Sequence, residues 1–323
     1  MKAIRFARTG GPEVLSLQEV ALPPPAQGQV RVRHTAVGVN FIDTYHRSGL
    51  YPLPLPSGLG MEAAGSVDAL GADVSHLKIG DRVGYCTGPV GAYADANNVP
   101  ADRVVKLPAD VSDDVAAAAM LKGMTAQYLL KRTFPVRRGQ TILFHSAAGG
   151  VGLIAVQWAK HLGAHVIGTV GSDVKIELAK AHGCDQVFNI EKDDWVAGVR
   201  ELTGGAGVAV VYDSVGKDTF TGSLDCLAPR GMMVSFGNSS GPVAAFEPAL
   251  LSAKGSLYLT RPTLMHYTRT AAELQETADD LFVAIASGAV KIAVNQRFAL
   301  GDARAAHEAL HSRKTTGATV LIP

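Results

Sequence analysis

The sequence predicts an α/β protein of two domains, a doubly wound parallel sheet accompanied by an irregular, mostly antiparallel β barrel. Three observations predict it. From about residue 140, apolar strands alternate with helix-like stretches. Before about residue 112 the chain reads instead as short strands broken by Gly and Pro. A bare run, Ala147-Ala148-Gly149-Gly150-Val151-Gly152, joins the first strand of the alternation to its helix.

The first domain carries QVRVRHTAVGV (29–39), AAGSVDAL (63–70), DRVGYC (81–86) and DRVVKLP (102–108), with the spacing of a barrel-like domain. LPPPA (22–26) and YPLPLP (51–56) read as stiff surface loops. At about 112, SDDVAAAAMLKGMTAQYLLKRT opens with a capping Ser and two acids and continues in good helix formers. Six strands follow: TILFH (141–145), AHVIGT (164–169), QVFNI (186–190), VAVVYD (208–213), GMMVSFG (231–237) and SLYLT (256–260). Helices fit between them around 150–162, 173–181, 193–203, 217–227 and 246–254. Continuously apolar strands are those of a parallel sheet covered on both faces, and six of them match the doubly wound dinucleotide fold. A helix around 270–287, another around 302–312 and the last strand, GATVLIP, exceed what that unit needs. They are placed back on the first domain, so the expected boundaries are 1–123 plus 265–323 for one domain and 124–264 for the other.

Composition narrows the function. The 323 residues are 47% apolar with a net charge of +1, which supplies a core and no electrostatic reason for a nucleic-acid or membrane-surface partner. MKAIRFARTGG lacks the apolar core of a signal peptide, and no run has the roughly 18 apolar residues of a membrane span. Cys86, Cys184 and Cys226 are few, odd in number and far apart, so neither a disulfide framework nor a thiolate metal cage is expected, and a reducing cytoplasm fits.

The bare run has a physical purpose. A strand-to-helix turn that approaches a ligand with its backbone, and packs its helix close to the sheet, needs small residues where Gly149 and Gly152 stand. Ala147 occupies the usual place of the first glycine of G-x-G-x-x-G, so the fingerprint is a variant. Free amides at the helix start and the helix dipole then face an anion, here a dinucleotide pyrophosphate. An NAD site carries Asp or Glu at the tip of the next strand to bind the ribose 2′-hydroxyl. This chain has Thr169, Val170 and Gly171 there, followed by Ser172 and Lys175, which suit a 2′-phosphate and NADPH. Asp173 would repel that phosphate if it pointed inward; it is read as the first-turn acid of its helix.

Several segments together resemble the medium-chain dehydrogenase/reductase superfamily. They are GVNFIDTYHRSGLYP (38–52), PSGLGMEAAG (56–65), HSAAGGVGLIAVQWAK, VVYDSVG (210–216), MVSFGNSSG (233–241), SLYLTRP (256–262) and the terminal TGATVLIP. Within the superfamily the pattern is that of the zinc-free quinone oxidoreductases, the zeta-crystallin-like group, and among them the bacterial NADPH:quinone reductases. The resemblance implies a six-stranded doubly wound (Rossmann) domain inserted into a GroES-like barrel, an active-site cleft between them, and homodimers. It implies NADPH-dependent reduction of a quinone by hydride transfer, without zinc. Asn40, Tyr45 and Tyr51 are the expected catalytic residues, offering hydrogen bonds to quinone oxygens or fixing the nicotinamide amide. Asn40, Asp43 and Thr125 are expected on the cofactor, with Ala148, Gly149, Gly150 and Val151 at its pyrophosphate. Gly171, Ser172 and Lys175 lie at the adenosine end; Phe236, Gly237, Asn238 and Ser239 complete the set. Arg313 matches an arginine that reaches the cofactor phosphates. Ile190 stands where the group carries a Tyr near the adenosine. The edge strand SLYLTRP is expected to pair with its two-fold mate.

Other constellations carry less. The zinc enzymes of the superfamily hold their metal with Cys, a Gly-His-Glu and a second Cys. Here the corresponding positions are Asn40, Met61 and Lys122, beside Glu62, and the four-cysteine structural lobe is missing. Zinc wants thiolate, imidazole or carboxylate, so no metal is expected. HEALH (307–311) matches H-E-x-x-H, yet its tail offers no third ligand, and its histidines read as surface or half-buried. Ser146 lies outside any G-x-S-x-G elbow. Asp213 ends a parallel strand, where it either meets a ligand or caps the next turn. The rival functions are an alkenal or enone reductase on the same fold, and a non-catalytic NADPH-binding protein of the crystallin or RNA-binding kind. The absence of a Lys/Arg stripe speaks against RNA.

Overall fold

The computed structural model describes residues 1–312 and 315–323. The chain divides into two compact units. One is Met1–Met124 with Tyr267–Ala286 and Ile292–Pro323; the other is Thr125–His266 with Ser287–Lys291. Residues 287–291 thus fall with the second unit.

In the first unit, period-2 alternation sets the longest strand: Val30, Val32, His34 and Ala36 are buried while the residues between them are not. The strands are β1 (Lys2–Phe6), β2 (Ser16–Glu19), β3 (Gln29–Val39), β4 (Ser57–Gly58), β5 (Glu62–Leu70), β6 (Arg82–Tyr85), β7 (Ala96–Pro100) and β8 (Val105–Lys106). Between β3 and β4 lies α1 (Phe41–Ser48), begun at Asn40 and ended by Gly49 in the left-handed region. Strands β2, β1 and β4 form one small antiparallel sheet. Of the 102–108 stretch, Asp102 and Arg103 end a 3-10 turn, Ala101–Arg103, and only β8 is strand. Helix α2 (Asp113–Tyr128) starts on Ser112, whose Oγ accepts the Val115 amide at 3.3 Å, and buries Ala116, Ala117, Ala118 and Ala119 completely.

In the second unit the strands are β9 (Thr141–Phe144), β10 (His165–Val170), β11 (Gln186–Asn189), β12 (Val208–Asp213), β13 (Leu227–Ser235) and β14 (Tyr258–Thr260). The helices are α3 (Gly150–His161), α4 (Ile176–Ala181), α5 (Trp195–Leu202), α6 (Phe220–Cys226), α7 (Ala249–Ala253) and α8 (Leu264–Tyr267), which ends at the border with the first unit. All strand pairs are parallel, in the order β11-β10-β9-β12-β13-β14. Chain order therefore reverses between β9 and β12, the place where such sheets bind ligands beyond the strands' carboxyl ends.

The chain returns through α9 (Ala271–Ala286), β15 (Val294–Ala299), α10 (Ala303–His311) and β16 (Ala318–Ile322). β16 pairs antiparallel with β3, completing a sheet ordered β15-β16-β3-β5-β6-β8 with β7 also on β3. Elements α1, β1, β2, β7 and β15 were not brought out by periodicity. The reason is physical for β2, whose four residues are all exposed and so show no alternation.

Candidate functional site

The turn after β9 is shaped by close approach. A Cβ on Gly152 would lie 2.2 Å from the Ser146 carbonyl oxygen, so α3 lies as near the turn as backbone allows. Ser146 itself takes φ +54°, a conformation L residues rarely adopt. The Ala147 amide is held by the Thr169 carbonyl and the Gly149 amide by Ser146 O, both at 2.9 Å. Helical bonding starts with Leu153 N to Gly149 O at 2.9 Å. The amides of Gly150, Val151 and Gly152 precede that bond and have no partner within the helix. A twelve-residue helix thus aims its positive end past a side-chain-free turn, which fits a pyrophosphate.

At the tip of β10, Gly171 has open space where a side chain would stand. Ser172 precedes a 3-10 turn, Asp173–Lys175, in which Lys175 is half-buried and its amide bonds to Ser172 O at 3.1 Å. Asp173 does not confront a ligand unopposed. Asn189 donates to its Oδ1 at 2.6 Å and Lys192 pairs with its Oδ2; the lysine contact, chiefly, holds the carboxyl below its usual range. Lys192, unnoticed in the sequence, therefore neutralises the acid that seemed out of place beside a phosphate.

Asp213 proves to be a cap. Its Oδ1 accepts the amides of Val215 (2.7 Å) and Gly216 (2.9 Å), and its Oδ2 accepts the hydroxyls of Thr219 (2.7 Å) and Ser223 (2.9 Å). Because Ser223 donates to Asp213, it accepts from His145 Nε2 at 2.9 Å. His145 Nδ1 in turn accepts from the Thr169 hydroxyl at 2.8 Å. Burial holds His145 in its neutral form. This fully buried network ties the ends of β9, β10 and β12 together beneath the turn. Beyond β13, the Phe236 amide bonds to Asp213 O at 2.7 Å and the Ser239 amide to Ser214 O at 3.1 Å, so the 236–239 run sits at the same edge of the sheet. Thr125 is half-buried in α2. Arg313 lies outside the described residues.

In the first unit, Asn40 is held at two points. Its amide donates to Asp43 Oδ2 at 2.8 Å, half of a capping box, and its side-chain Nδ2 donates to Glu62 Oε2 at 2.7 Å. Lys122 Nζ donates to the same Glu62 oxygen at 3.3 Å, and the Leu121 amide to Oε1 at 2.7 Å. Tyr45 and Tyr51 come together, ring centroids 5.1 Å apart and edge to face, with the Tyr51 amide on Tyr45 O. Phe41 and His46 extend this aromatic group. Asp43 is wholly buried, and that burial pushes its carboxyl up to about 7.

The fit to a metal is poor. At the would-be zinc positions an ammonium, Lys122, already neutralises the buried carboxylate of Glu62. Of the HEALH histidines, His311 is exposed, whereas His307 is not the surface or half-buried group expected. His307 is completely buried, its Nδ1 accepting from Arg47 Nη1 at 3.0 Å, and His311 Nε2 takes Arg47 Nη2 at 3.3 Å. A guanidinium bonds to both, and burial, reinforced by that neighbouring cation, lowers His307 to about 3. Among the described residues, no group of three or more His, Cys, Asp or Glu is arranged for a metal, and no helix is long and apolar enough to cross a membrane. Arg47, Lys192 and His145 carry these arrangements without a local sequence signal, since their partners are mostly distant in the chain.

A sheet reversing at β9 and β12, with an anion-ready turn there and a separate, mostly antiparallel unit, defines a nucleotide-dependent oxidoreductase of the medium-chain dehydrogenase/reductase superfamily. Two family models match, "Zinc-binding dehydrogenase" over residues 150–284 and "Alcohol dehydrogenase GroES-like domain" over 26–109. The chain belongs to the quinone oxidoreductase family of that superfamily. It is 54% identical to the quinone oxidoreductase of Pseudomonas aeruginosa, over 100% of this chain and 99% of that protein. It is 47% identical to a 2-haloacrylate reductase of a Burkholderia species, over 98% of this chain and 97% of that one. Among solved structures, Escherichia coli quinone oxidoreductase complexed with NADPH matches at 52% identity and a TM-score of 0.99, over the whole of both chains.

Proposed function

We propose that this chain is an NADPH-dependent quinone reductase that needs no zinc. The reading is carried by the chain's end-to-end likeness to a quinone oxidoreductase complexed with NADPH, and its own glycine turn is in keeping with it. NADPH, when bound, supplies the hydride. The chain's own residues do the rest. The amides at the start of α3, with Ala148 and Gly149, hold the pyrophosphate, while Ser172 and Lys175 beside Gly171 take the 2′-phosphate. Thr125, Phe236, Gly237, Asn238, Ser239 and Arg313 complete the cofactor set. Asn40, Tyr45 and Tyr51 offer hydrogen bonds to the quinone oxygens or the nicotinamide amide, and Asp43 serves by holding Asn40. A quinone is already a good electrophile whose anion spreads over a ring, so orienting two planar rings is the main task and a Lewis acid is dispensable.

A second reading, reduction of an activated alkene, is favoured by the haloacrylate-reducing relative. NADPH oxidation measured over a panel of quinones, enones and haloacrylates separates the two. Quinones are expected to show the highest kcat/KM; an enone or haloacrylate preferred by about tenfold or more would overturn the quinone reading.

The GroES-like unit is read as interrupted by the nucleotide unit, in keeping with family matches that fall at 26–109 and 150–284. The chain is read further as a homodimer joined through β14. Among the described residues that strand pairs with β13 alone, and Tyr258 on it is 60% exposed, an edge hazardous if left bare. Light scattering at micromolar concentration is expected to give twice the chain mass; a monomer there would contradict it.

A further inference from the structure

The HEALH helix is joined to Asn40 by a chain of donors that all point one way. Arg47 has no acceptor, so its Nη1 donates to His307 Nδ1 (3.0 Å), and the neutral ring's proton must sit on Nε2. Nε2 then donates to the Tyr93 oxygen (3.1 Å), and the single Tyr93 proton goes to Asp43 Oδ2 (2.9 Å). The same Oδ2 receives the Asn40 amide (2.8 Å). Arg47, His307, Tyr93 and Asp43 are all buried, and no hydroxyl or ring in the sequence of bonds can turn around without breaking it. Gly60 makes room for the Tyr93 ring, since a Cβ there would lie 2.2 Å from Cδ1. Three segments, around residues 40–47, 93 and 307, are thereby joined through one carboxylate, whose other oxygen, Oδ1, is buried without a hydrogen-bond partner among the described residues.

We propose that Arg47, His307 and Tyr93 are positioning residues for Asn40, acting through Asp43, and that the ionised carboxylate is the form that holds Asn40 in place. The inference rests on the reading of Asn40 as a residue of the reaction site. With both donors on Oδ2, a proton arriving at Asp43 goes to Oδ1. That proton removes the charge that Tyr93 and the Asn40 amide share and weakens both bonds. The groups that bear on Asp43 are the hydrogen-bond donors Tyr93 and Asn40, the Lys122 ammonium and the Glu62 carboxylate. Lys122 favours the ionised form and Glu62 opposes it. Burial places the changeover near pH 7, with the ionised, Asn40-holding form above it and the protonated form below.

The test is the pH profile of kcat/KM for NADPH-dependent quinone reduction in wild type, Tyr93→Phe and Asp43→Asn, with folding checked by circular dichroism. In wild type the profile is expected to fall as pH drops through about 7. Tyr93→Phe removes a donor that favours the carboxylate, so the fall should move upward by at least about one pH unit. Asp43→Asn, which cannot ionise, should lose the inflection. If Tyr93→Phe fails to fold, carbon-13 NMR titration of the Asp43 carboxyl in the wild type decides the matter: a midpoint below about 5, near that of a free carboxyl, overturns the proposal. An unmoved profile in folded Tyr93→Phe overturns it too. Asn40→Ala separates the two levels. If that variant keeps wild-type kcat, the reading of Asn40 fails and the positioning idea with it. If it loses kcat while Tyr93→Phe leaves the profile in place, only the positioning idea fails.

Discussion

Replacing Gly150 by Asp is expected to abolish binding of NADPH and NADH alike while the fold persists. Gly150 is the first residue of α3, and its amide is one of those preceding the first helical bond. A carboxylate at a helix start is favourable for the helix itself, by a few tenths to about 1 kcal/mol, so circular dichroism should be unchanged. The same carboxylate occupies the anion's place with the anion's charge. Like charges about 4 Å apart at an effective dielectric of about 20 repel by about 4 kcal/mol, close to a thousandfold in affinity. Calorimetric titration with each cofactor measures it. Normal NADPH binding by the variant would mean that the turn holds something else.

Lys175→Ala is expected to weaken NADPH by about 10- to 150-fold and to leave NADH nearly unchanged. A charged hydrogen bond to a phosphate contributes about 1.5–3 kcal/mol, and each 1.4 kcal/mol is about tenfold. NADH has no 2′-phosphate to lose. The neighbouring carboxylate does not cancel the lysine, because Asp173 is tied to Lys192 and Asn189. Dissociation constants for both cofactors decide the point: a wild type that prefers NADH, or an equal loss for both, would refute the phosphate assignment while leaving the pyrophosphate site untouched.

Much of the nucleotide unit was legible because its signals are local. The six apolar strands lie where the alternation put them, and α2 starts on the serine that reads as its cap. The bare turn was legible as well, since Gly152 excludes a side chain for a reason that strand-turn-helix context already implies. Helix α1 was not: it is short and opens on an Asn–Asp cap rather than a long apolar stripe. Strand β2 was hidden because it buries nothing. The part that HEALH plays was hidden for a related reason. Its spacing places two imidazoles on one helical face, which is all that spacing can say, and their partner Arg47 is 260 residues away.

The sequence by itself determined the fold class, the place of the bare strand-to-helix turn and the absence of a carboxylate at the tip of β10. Each of these follows from neighbours within one strand-turn-helix unit, where periodicity, helix-start amides and small residues act over a few positions. Only the tertiary structure decided which charges oppose which. It set Lys192 against Asp173, Lys122 against Glu62, and Arg47 between the two HEALH histidines. It also made Asp43 a carboxyl poised near neutrality, because the strength of a charge depends on how much water has been removed around it and on which donors distant segments bring to it.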